Sequence, residues 1–293
     1  MRRREVSVRI GAHVSSSGGP QNVFPKVAEI GAEAVQLFIS APQQWRLPAL
    51  KDEQVSAFKE RLAEAQVPAF FHGVYLMNFA SQDPAILEKS VASLSSYLDW
   101  AARLGVVGTI FHVGSHLGAG FDAMLPQMAT LLRQCLEAAP NDTLLILENS
   151  AGQGNCCGKD FRELGALIKA LDNDRRVAVC IDTCHAFAMG YDIGTRAGCE
   201  MALEEFEREV GLDRLVAVHA NDSKMPLGGV RDRHENIGDG HIGYDGFREL
   251  MRHGAFAHVP FFLEVPGMDN KGPDRENIDR LKKLRDEAGA PTP

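Results

Sequence analysis

The sequence predicts an α/β fold, a single (β/α)₈ TIM barrel, because apolar runs and amphipathic helical segments alternate eight times along its 293 residues. The apolar runs are short and rich in β-branched residues, which is typical of parallel strands buried on both faces. They begin near Val8, Ala34, Val67, Thr109, Thr143, Val177, Leu215 and Val259. Their even spacing favours one large domain, placed at residues 5–287, with a tail over 288–293 that we expect to be frayed.

The segments between these runs carry apolar residues at helical spacing. Helices are predicted to end near Ile30 and Ala138, and to cover 51–66, 84–104, 161–171, 197–210, 244–252 and 275–287. The first turn of 51–66 is acidic, which suits the helix dipole, and Gly105 ends the helix over 84–104 as a C-cap glycine does. The segment 221–243 lacks periodicity and is rich in glycine and charge, so we predict a long functional loop there.

Side chains that commonly bind metal ions stand where the apolar runs end. Six of the runs are followed by such residues: His72, His112, Glu148, Asp182, His185, His219 and Glu264. In this barrel the C-terminal ends of all strands meet on one face, where active sites of the fold lie. We therefore expect these side chains to converge, and Asp232 and His234 in the seventh loop can reach the same face.

These nine side chains exceed what one ion can use, because zinc takes about four ligands and expands to five. Four of them are carboxylates, and burying those charges together requires compensating cations. Nine side chains, with one carboxylate bridging, fit two or three ions. Ions about 3.5 to 4 Å apart suit phosphoryl chemistry, since they can hold the attacking and leaving oxygens of an in-line displacement.

Composition restricts the classes of partner. The net charge of −8 argues by itself against nucleic acid, but about three divalent cations would return roughly six positive charges where a phosphate binds. No apolar run approaches the roughly 20 residues of a membrane span, and the N-terminus lacks the apolar region of a secretory signal. We therefore expect a cytoplasmic protein without a membrane partner. The six cysteines form no C-x-x-C pair and are interpreted as thiols, with Cys184 the least certain.

Six motifs between about Ile10 and Glu264 share one family pattern. They are IGAHVSSSGG, FHVGSHLG, LENSAGQG, VCIDTCHAFAMGYD, HANDSK and DRHENIGDGHIG. Together they resemble endonuclease IV, the zinc-dependent apurinic/apyrimidinic endonuclease family of DNA base excision repair. The resemblance implies three Zn²⁺ per chain, or Mn²⁺ at one position, and no organic cofactor. It also implies a monomeric hydrolase that acts on damaged double-stranded DNA at abasic sites.

The resemblance also assigns roles by matching position. Glu148 bridges two zinc ions, and Glu148 and Glu264 are the implied catalytic carboxylates. The further ligands are His72 and His112 for the first ion, Asp182, His219 and Glu264 for the second, and His185, Asp232 and His234 for the third. A metal-bridged hydroxide is implied to attack the phosphorus 5′ to the abasic site, which leaves a 3′-hydroxyl and a 5′-deoxyribose phosphate.

Members of this family insert side chains into the DNA minor groove, and Tyr75 and Leu76 in HGVYLMN match that wedge. The alternative for both is ordinary packing of a barrel loop. Lys224 and Arg231 are expected phosphate contacts. Gln43 stands where relatives commonly have a basic residue, so either it supplies hydrogen bonds to DNA or the affinity for damaged duplex is weaker.

A metal-dependent sugar isomerase or epimerase of the same barrel superfamily is the main alternative. Such an enzyme uses one or two divalent ions and needs neither Asp232 and His234 nor the Tyr75–Leu76 pair. Metal stoichiometry separates the two hypotheses, because about three zinc ions per chain favour the nuclease. A non-catalytic protein that binds damaged DNA is a second alternative, and the complete ligand set argues against it.

Overall fold

The computed structural model describes residues 7–140 and 142–293, so the predicted domain start at residue 5 lies outside the described residues. The strands are β1 (Ile10–His13), β2 (Val35–Leu37), β3 (Ala69–His72), β4 (Gly108–Phe111), β5 (Leu144–Glu148), β6 (Val177–Asp182), β7 (Leu215–His219), β8 (Asp222–Ser223), β9 (His234–Glu235) and β10 (Phe261–Leu263). In this part of the chain, eight parallel strands close in the order β1-β10-β7-β6-β5-β4-β3-β2. The predicted (β/α)₈ barrel is confirmed.

The helices surround the barrel and connect successive strands. They are α1 (Val23–Ile30), α2 (Asp52–Ala65), α3 (Pro84–Leu104), α4 (Phe121–Ala138), α5 (Phe161–Ala170), α6 (Thr183–Ala188), α7 (Arg196–Glu209), α8 (Gly243–Arg252) and α9 (Arg275–Ala288). Gly105 caps α3 in the left-handed conformation (φ 75°), as its position predicts. The predicted helix ends agree with the observed ones to within a residue, because strong apolar periodicity marks each of these helices.

Two apolar layers make the core. The outer layer lies between the strands and the helices and contains the residues of each strand that point away from the barrel axis. The inner layer fills the barrel itself and consists of Ala34, Phe70, Ile110, Ile146, Ala178, Cys180, Ala217 and Phe262. Side chains alternate between the two layers along each strand, because successive residues of a strand point to opposite faces.

Two local elements go beyond the predicted ones. Helix α6 follows β6 directly, and the side chain of Asp182 caps it by accepting a 2.8 Å hydrogen bond from the backbone N–H of His185. Six residues are too few to give a periodic apolar pattern. The segment 221–243 is not a loop throughout, since β8 and β9 pair in it as a short antiparallel ladder that sets Ser223 opposite His234.

The two ends of the described chain meet below the barrel. The carbonyl of Pro291 accepts a 2.7 Å hydrogen bond from the backbone N–H of Val8. The fraying of 288–293 and the range 5–287 of the domain stay predictions. Glu33 joins α9 to the same end of the barrel, because its carboxylate accepts hydrogen bonds from the Ile10 N–H (2.9 Å) and from Arg285 (2.6 Å).

Among the helices described, none combines the length and apolarity that crossing a bilayer requires.

Candidate metal centre

The predicted ligands stand one layer above the apolar filling of the barrel. In six strands the residue two positions after an inner apolar residue is a predicted ligand, and strand alternation points it to the barrel axis. The pairs are Phe70 and His72, Ile110 and His112, Ile146 and Glu148, Cys180 and Asp182, Ala217 and His219, and Phe262 and Glu264. The barrel therefore places six polar side chains at one level, directly above the inner apolar layer.

Glu148 lies at the middle of this level and is 1% exposed. Its carboxylate oxygens lie 3.2 Å from Nε2 of His72, 3.4 Å from Nε2 of His112 and 2.9 Å from Nδ1 of His219. Glu264 joins from the other side, with 3.4 Å between its Oε2 and Nδ1 of His219. We call His72, Glu148, Asp182, His219 and Glu264 the inner group; their ligand atoms fall into two clusters within 4.8 Å that share Glu148 and His219.

A separate cluster of potential ligands, the outer group, lies beside the inner group. The outer group is His185 from α6 with Asp232 and His234 from the seventh loop, and its ligand atoms also lie within 4.8 Å of one another. Asp182 links the two groups, since its Oδ2 lies 3.6 Å from Nε2 of His234 and 3.8 Å from Nδ1 of His219. The nine predicted side chains thus converge on one region, while their role as ligands stays a prediction.

Backbone carbonyls fix which nitrogen of His72 and of His185 faces the centre. Nδ1 of His72 lies 2.7 Å from the Gly73 carbonyl, and Nδ1 of His185 lies 2.9 Å from the Asn149 carbonyl. Each Nδ1–H therefore donates to a carbonyl, which leaves Nε2 as the nitrogen that faces a carboxylate, that of Glu148 for His72 and that of Asp232 for His185. A metal-binding histidine is held in the same way in proteins, with its other ring nitrogen donating to an oxygen.

Two buried nitrogens of the outer group, Nε2 of His185 and Nε2 of His234, have no hydrogen-bond partner among the described residues. They lie 3.3 and 3.1 Å from the two oxygens of the Asp232 carboxylate. Imidazole nitrogens and a carboxylate that face one another without hydrogen bonding form a donor set that suits Zn²⁺. The residues present therefore fit a bound divalent cation.

The charges of the centre keep the Glu148 carboxylate ionised. Burial opposes ionisation of Glu148, but the imidazoles of His112 and His219 outweigh it and hold the pKa of this carboxyl well below its usual value. Burial likewise disfavours a charged His185, yet the carboxylate of Asp182 and its neighbours raise the pKa of that imidazole well above its usual value. Concentrated negative charge at this point attracts positive partners, whether protons or metal ions.

Sequence reasoning missed the amide side chains that hold the ligands. Gln36 donates 2.6 Å to Oε1 of Glu264, and its own Oε1 accepts from Nε2 of His219 at 2.7 Å. Asn221 donates 2.7 Å to Oδ2 of Asp182 and accepts from the backbone N–H of Glu264 at 2.8 Å. Gln36 follows the inner residue Ala34 by two positions, so strand alternation is the signal that identifies it.

The cysteines are free, as predicted, and all six lie in the described ranges. For Cys184 the sequence leaves open whether it is a metal ligand, and its Sγ lies within 4.8 Å of ligand atoms of Asp182 and His234. Burial raises the pKa of the Cys184 thiol to about 12, so this group is protonated at neutral pH. Binding of a metal ion by Cys184 would require loss of this proton, because the thiolate is the form that binds metals.

Similarity to known proteins identifies the family. A family model described as "Xylose isomerase-like TIM barrel" matches residues 24–284. Proteins named "Probable endonuclease 4" from Aquifex aeolicus and Streptomyces coelicolor are 39% and 40% identical to this chain. These alignments cover 94% of this chain, and 96% and 95% of the two relatives. This chain belongs to the endonuclease IV family.

Solved structures agree with the endonuclease IV assignment. The crystal structure of endonuclease IV from Thermus thermophilus matches with a TM-score of 0.84 at 32% identity, and the match covers 95% of this chain and 99% of that one. A D-tagatose 3-epimerase-like protein matches with a TM-score of 0.73 at 18% identity, covering 96% and 97% of the two chains. The second likeness reflects the shared barrel alone.

The predicted DNA contacts of this endonuclease IV family member lie at the barrel opening or on its rim. A cavity of about 570 Å³ opens above the metal centre, and Tyr75 and Leu76 line it together with His112, Asp232 and Glu264. The ring of Tyr75 is 55% exposed, so it is not simply packed away.

Three polar residues predicted to contact DNA are exposed in nearby loops. Gln43 follows Pro42, whose carbonyl accepts a 3.0 Å hydrogen bond from the Tyr75 N–H, so the second and third loops are joined. Lys224 lies 3.7 Å from Glu235, and Arg231 directly precedes the predicted ligand Asp232. DNA binding by all five residues stays a prediction.

Proposed function

We propose that this protein is an apurinic/apyrimidinic endonuclease that cleaves the phosphodiester bond 5′ to abasic sites in duplex DNA, leaving a 3′-hydroxyl and a 5′-deoxyribose phosphate. Membership of the endonuclease IV family supports this activity. The observation that carries the proposal is the outer group, which brings His185, Asp232 and His234 together beside the inner group. A sugar isomerase, which uses one or two ions, has no use for this additional cluster.

The proposed cofactor is Zn²⁺ at three positions, with Mn²⁺ as an alternative at one of them. The proposed ligands are His72, His112 and Glu148 for the first ion, Glu148, Asp182, His219 and Glu264 for the second, and His185, Asp232 and His234 for the third. Bound zinc supplies Lewis-acid charge that polarises phosphate oxygens and lowers the pKa of water to about 7. The clustered donor atoms support this arrangement, since each proposed position has several within reach.

The predicted ligands divide into buried side chains and side chains that line the cavity. Glu148, Asp182 and His219 are at most 1% exposed, and we propose that they fix charge and orientation without touching DNA. His112 and Glu264 line the cavity together with His72 and the outer group, so we propose that the scissile phosphate meets this face of the centre. The Glu264 carboxylate is held by Gln36 through Oε1, which leaves Oε2 directed at His219 and the proposed second ion.

Recognition of the abasic site is assigned to the rim. A missing base lowers the cost of extruding the sugar from the duplex, and an inserted aromatic ring replaces the lost stacking. Tyr75 and Leu76 occupy the side of the cavity next to His72 and His112, so a ring inserted there brings the phosphate over the centre. Gln43, Lys224 and Arg231 are the proposed polar contacts to the backbone of the DNA.

Incision of a defined lesion tests this function. The zinc-loaded protein should nick a duplex oligonucleotide that carries one tetrahydrofuran site, and the shortened strand should prime a DNA polymerase because it ends in a 3′-hydroxyl. The same duplex with a normal nucleotide at that position is the control and should stay intact. An uncut tetrahydrofuran duplex at full zinc occupancy contradicts the proposal. Epimerisation of a ketohexose by the same preparation would favour the sugar isomerase.

Tyr75→Ala should weaken binding of the tetrahydrofuran duplex by about tenfold, because loss of aromatic stacking costs about 1–3 kcal/mol. Fluorescence anisotropy in a chelator-free buffer measures the change in Kd. The matched control is Met201→Ala, which removes a 71% exposed apolar side chain from α7 and should leave binding unchanged. Because Tyr75 also packs against His72, the zinc content of each variant is measured in parallel. Equal affinities of Tyr75→Ala and wild type would remove Tyr75 from the interface.

A further inference from the structure

Asp222 is a buried carboxylate that no step of the proposed reaction uses. It is 0% exposed, and it follows the inner-group residue His219 by three positions. Instead of a cation, its two oxygens face backbone N–H groups. Five of these donate to it, from Ser223 (2.8 Å), Gly238 (2.9 Å), Gly240 (3.1 Å), Ile242 (2.9 Å) and Gly243 (3.2 Å).

Four of the five donors belong to the return limb of the seventh loop, residues 238–243. Hydrogen bonds to an ionised acceptor are about twice as strong as neutral ones, so this carboxylate holds the limb tightly. The fit is close, because a Cβ atom added at Gly240 would lie 2.5 Å from Oδ1 of Asp222 and 2.6 Å from the Ser223 carbonyl. The glycine allows the backbone to approach the carboxylate.

The backbone around Asp222 also holds the outgoing limb of the loop, residues 232–235, which carries Asp232 and His234 of the outer group. In the β8–β9 ladder Asp222 pairs with Glu235 and Ser223 pairs with His234. The Lys224 N–H donates to the Arg233 carbonyl at 2.9 Å, which fixes the residue between Asp232 and His234. On the other side, the Ser223 carbonyl accepts from the His241 N–H at 2.8 Å. Both limbs of the loop are thus attached to the segment 222–224, and Asp222 is the buried charged residue of that segment.

We propose that Asp222 is a positioning residue for the third metal ion. Its carboxylate holds the return limb against β8, and this keeps β9 in the register that points His234 and Asp232 at His185. The inner group lies outside this contact, because its side chains stand at the ends of barrel strands and none of them bonds to the Asp222 carboxylate. The inference rests on the proposed function in so far as the outer group binds an ion.

Zinc stoichiometry tests the inference in the full-length protein. In Asp222→Asn an NH₂ group replaces one acceptor oxygen and faces N–H donors, so the limb is released. Zinc titration against a chromogenic chelator should show one of three ions bound about 10- to 100-fold more weakly, as is usual when a partner of a ligand is lost. The other two affinities should be unchanged. Amide hydrogen exchange at 238–243 should accelerate, which shows that the contact has been broken.

A second variant keeps the test informative if Asp222→Asn folds poorly. Gly240→Ala leaves the buried carboxylate in place and disrupts the same contact from the partly exposed limb, so it should weaken the same ion. The matched control is Glu33→Gln, which alters a carboxylate that also accepts a backbone hydrogen bond, but at the opposite end of the barrel. This control should lower the melting temperature without changing the affinity for any ion.

The outcomes separate this inference from the proposed function. Faster exchange at 238–243 with all three zinc affinities preserved overturns the inference and leaves the function untouched. Equal weakening of the ion in Glu33→Gln also overturns it, because general destabilisation then explains the loss. A wild-type protein that binds three ions but does not cut abasic duplex overturns the function, whereas selective loss of one ion in both loop variants still supports the role of Asp222.

Discussion

Glu148→Ala is expected to lower kcat/KM for the tetrahydrofuran duplex by at least about 10³-fold, and added zinc should not restore it. The reason is geometric. The Glu148 carboxylate lies within 3.4 Å of nitrogens of His72, His112, His185 and His219. Its removal therefore leaves the two clusters of the inner group without the carboxylate that they share. Glu148→Gln should fall nearly as far, because a neutral amide cannot bridge two cations. Single-turnover incision at saturating zinc measures the effect.

The control for this experiment is Glu163→Gln. Glu163 is also a buried glutamate, 2% exposed, and it accepts a 2.8 Å hydrogen bond from the Gly158 N–H, but it lies on α5 and is not one of the nine predicted ligands. We expect a lower melting temperature and nearly full incision activity. If Glu148→Ala retains a tenth of the wild-type rate while binding three zinc ions, the bridging role assigned to Glu148 is wrong.

Removal of the metal should abolish incision and also lower the melting temperature substantially. Each ion present at 1,000 times its Kd adds about 4 kcal/mol to the free energy of unfolding, so three ions contribute a large share of the total. Dialysis against a strong chelator followed by differential scanning calorimetry measures this change. Zinc should restore stability and activity together, in parallel with the recovery of about three ions per chain in elemental analysis.

Magnesium provides the matched control for the reconstitution. It prefers octahedral oxygen ligands and keeps its waters, whereas five of the nine side chains offer imidazole nitrogens. Magnesium should therefore restore neither property. Full incision by chelator-treated protein in metal-free buffer, or recovery with one ion per chain, would contradict the proposed centre. Recovery with one or two manganese ions and no incision would favour the epimerase.

Much of the fold and the site follows from the sequence through one rule, the alternation of side chains along buried strands. The rule requires only an apolar run and the residue that ends it, as in ILE over Ile146 to Glu148. It also accounts for Gln36, for which no role was predicted from the sequence. Its function is to hold Glu264 and His219, and partners of ligands show in a sequence only when the ligands themselves have been placed.

Other parts of the site depend on long-range contacts that no local pattern encodes. Helix α6 is too short to show periodicity, and it becomes recognisable only once Asp182 is seen to cap it. The role of Asp222 is hidden in another way, because its partners are backbone amides contributed largely by glycines. A backbone donor has no residue-type signature, so the organisation of the seventh loop required the structure.

The inner apolar layer beneath the metal centre has an electrostatic consequence. Aromatic and aliphatic groups such as Phe70, Ile146 and Phe262 screen very little, so field lines from the proposed cations would leave through the open end of the barrel. A chain of net charge −8 can thereby present a local positive potential to a phosphodiester while most of its exterior repels the double helix. Encounter with DNA should then be productive in one orientation, with a rate that depends on salt over a Debye length of about 8 Å at physiological ionic strength.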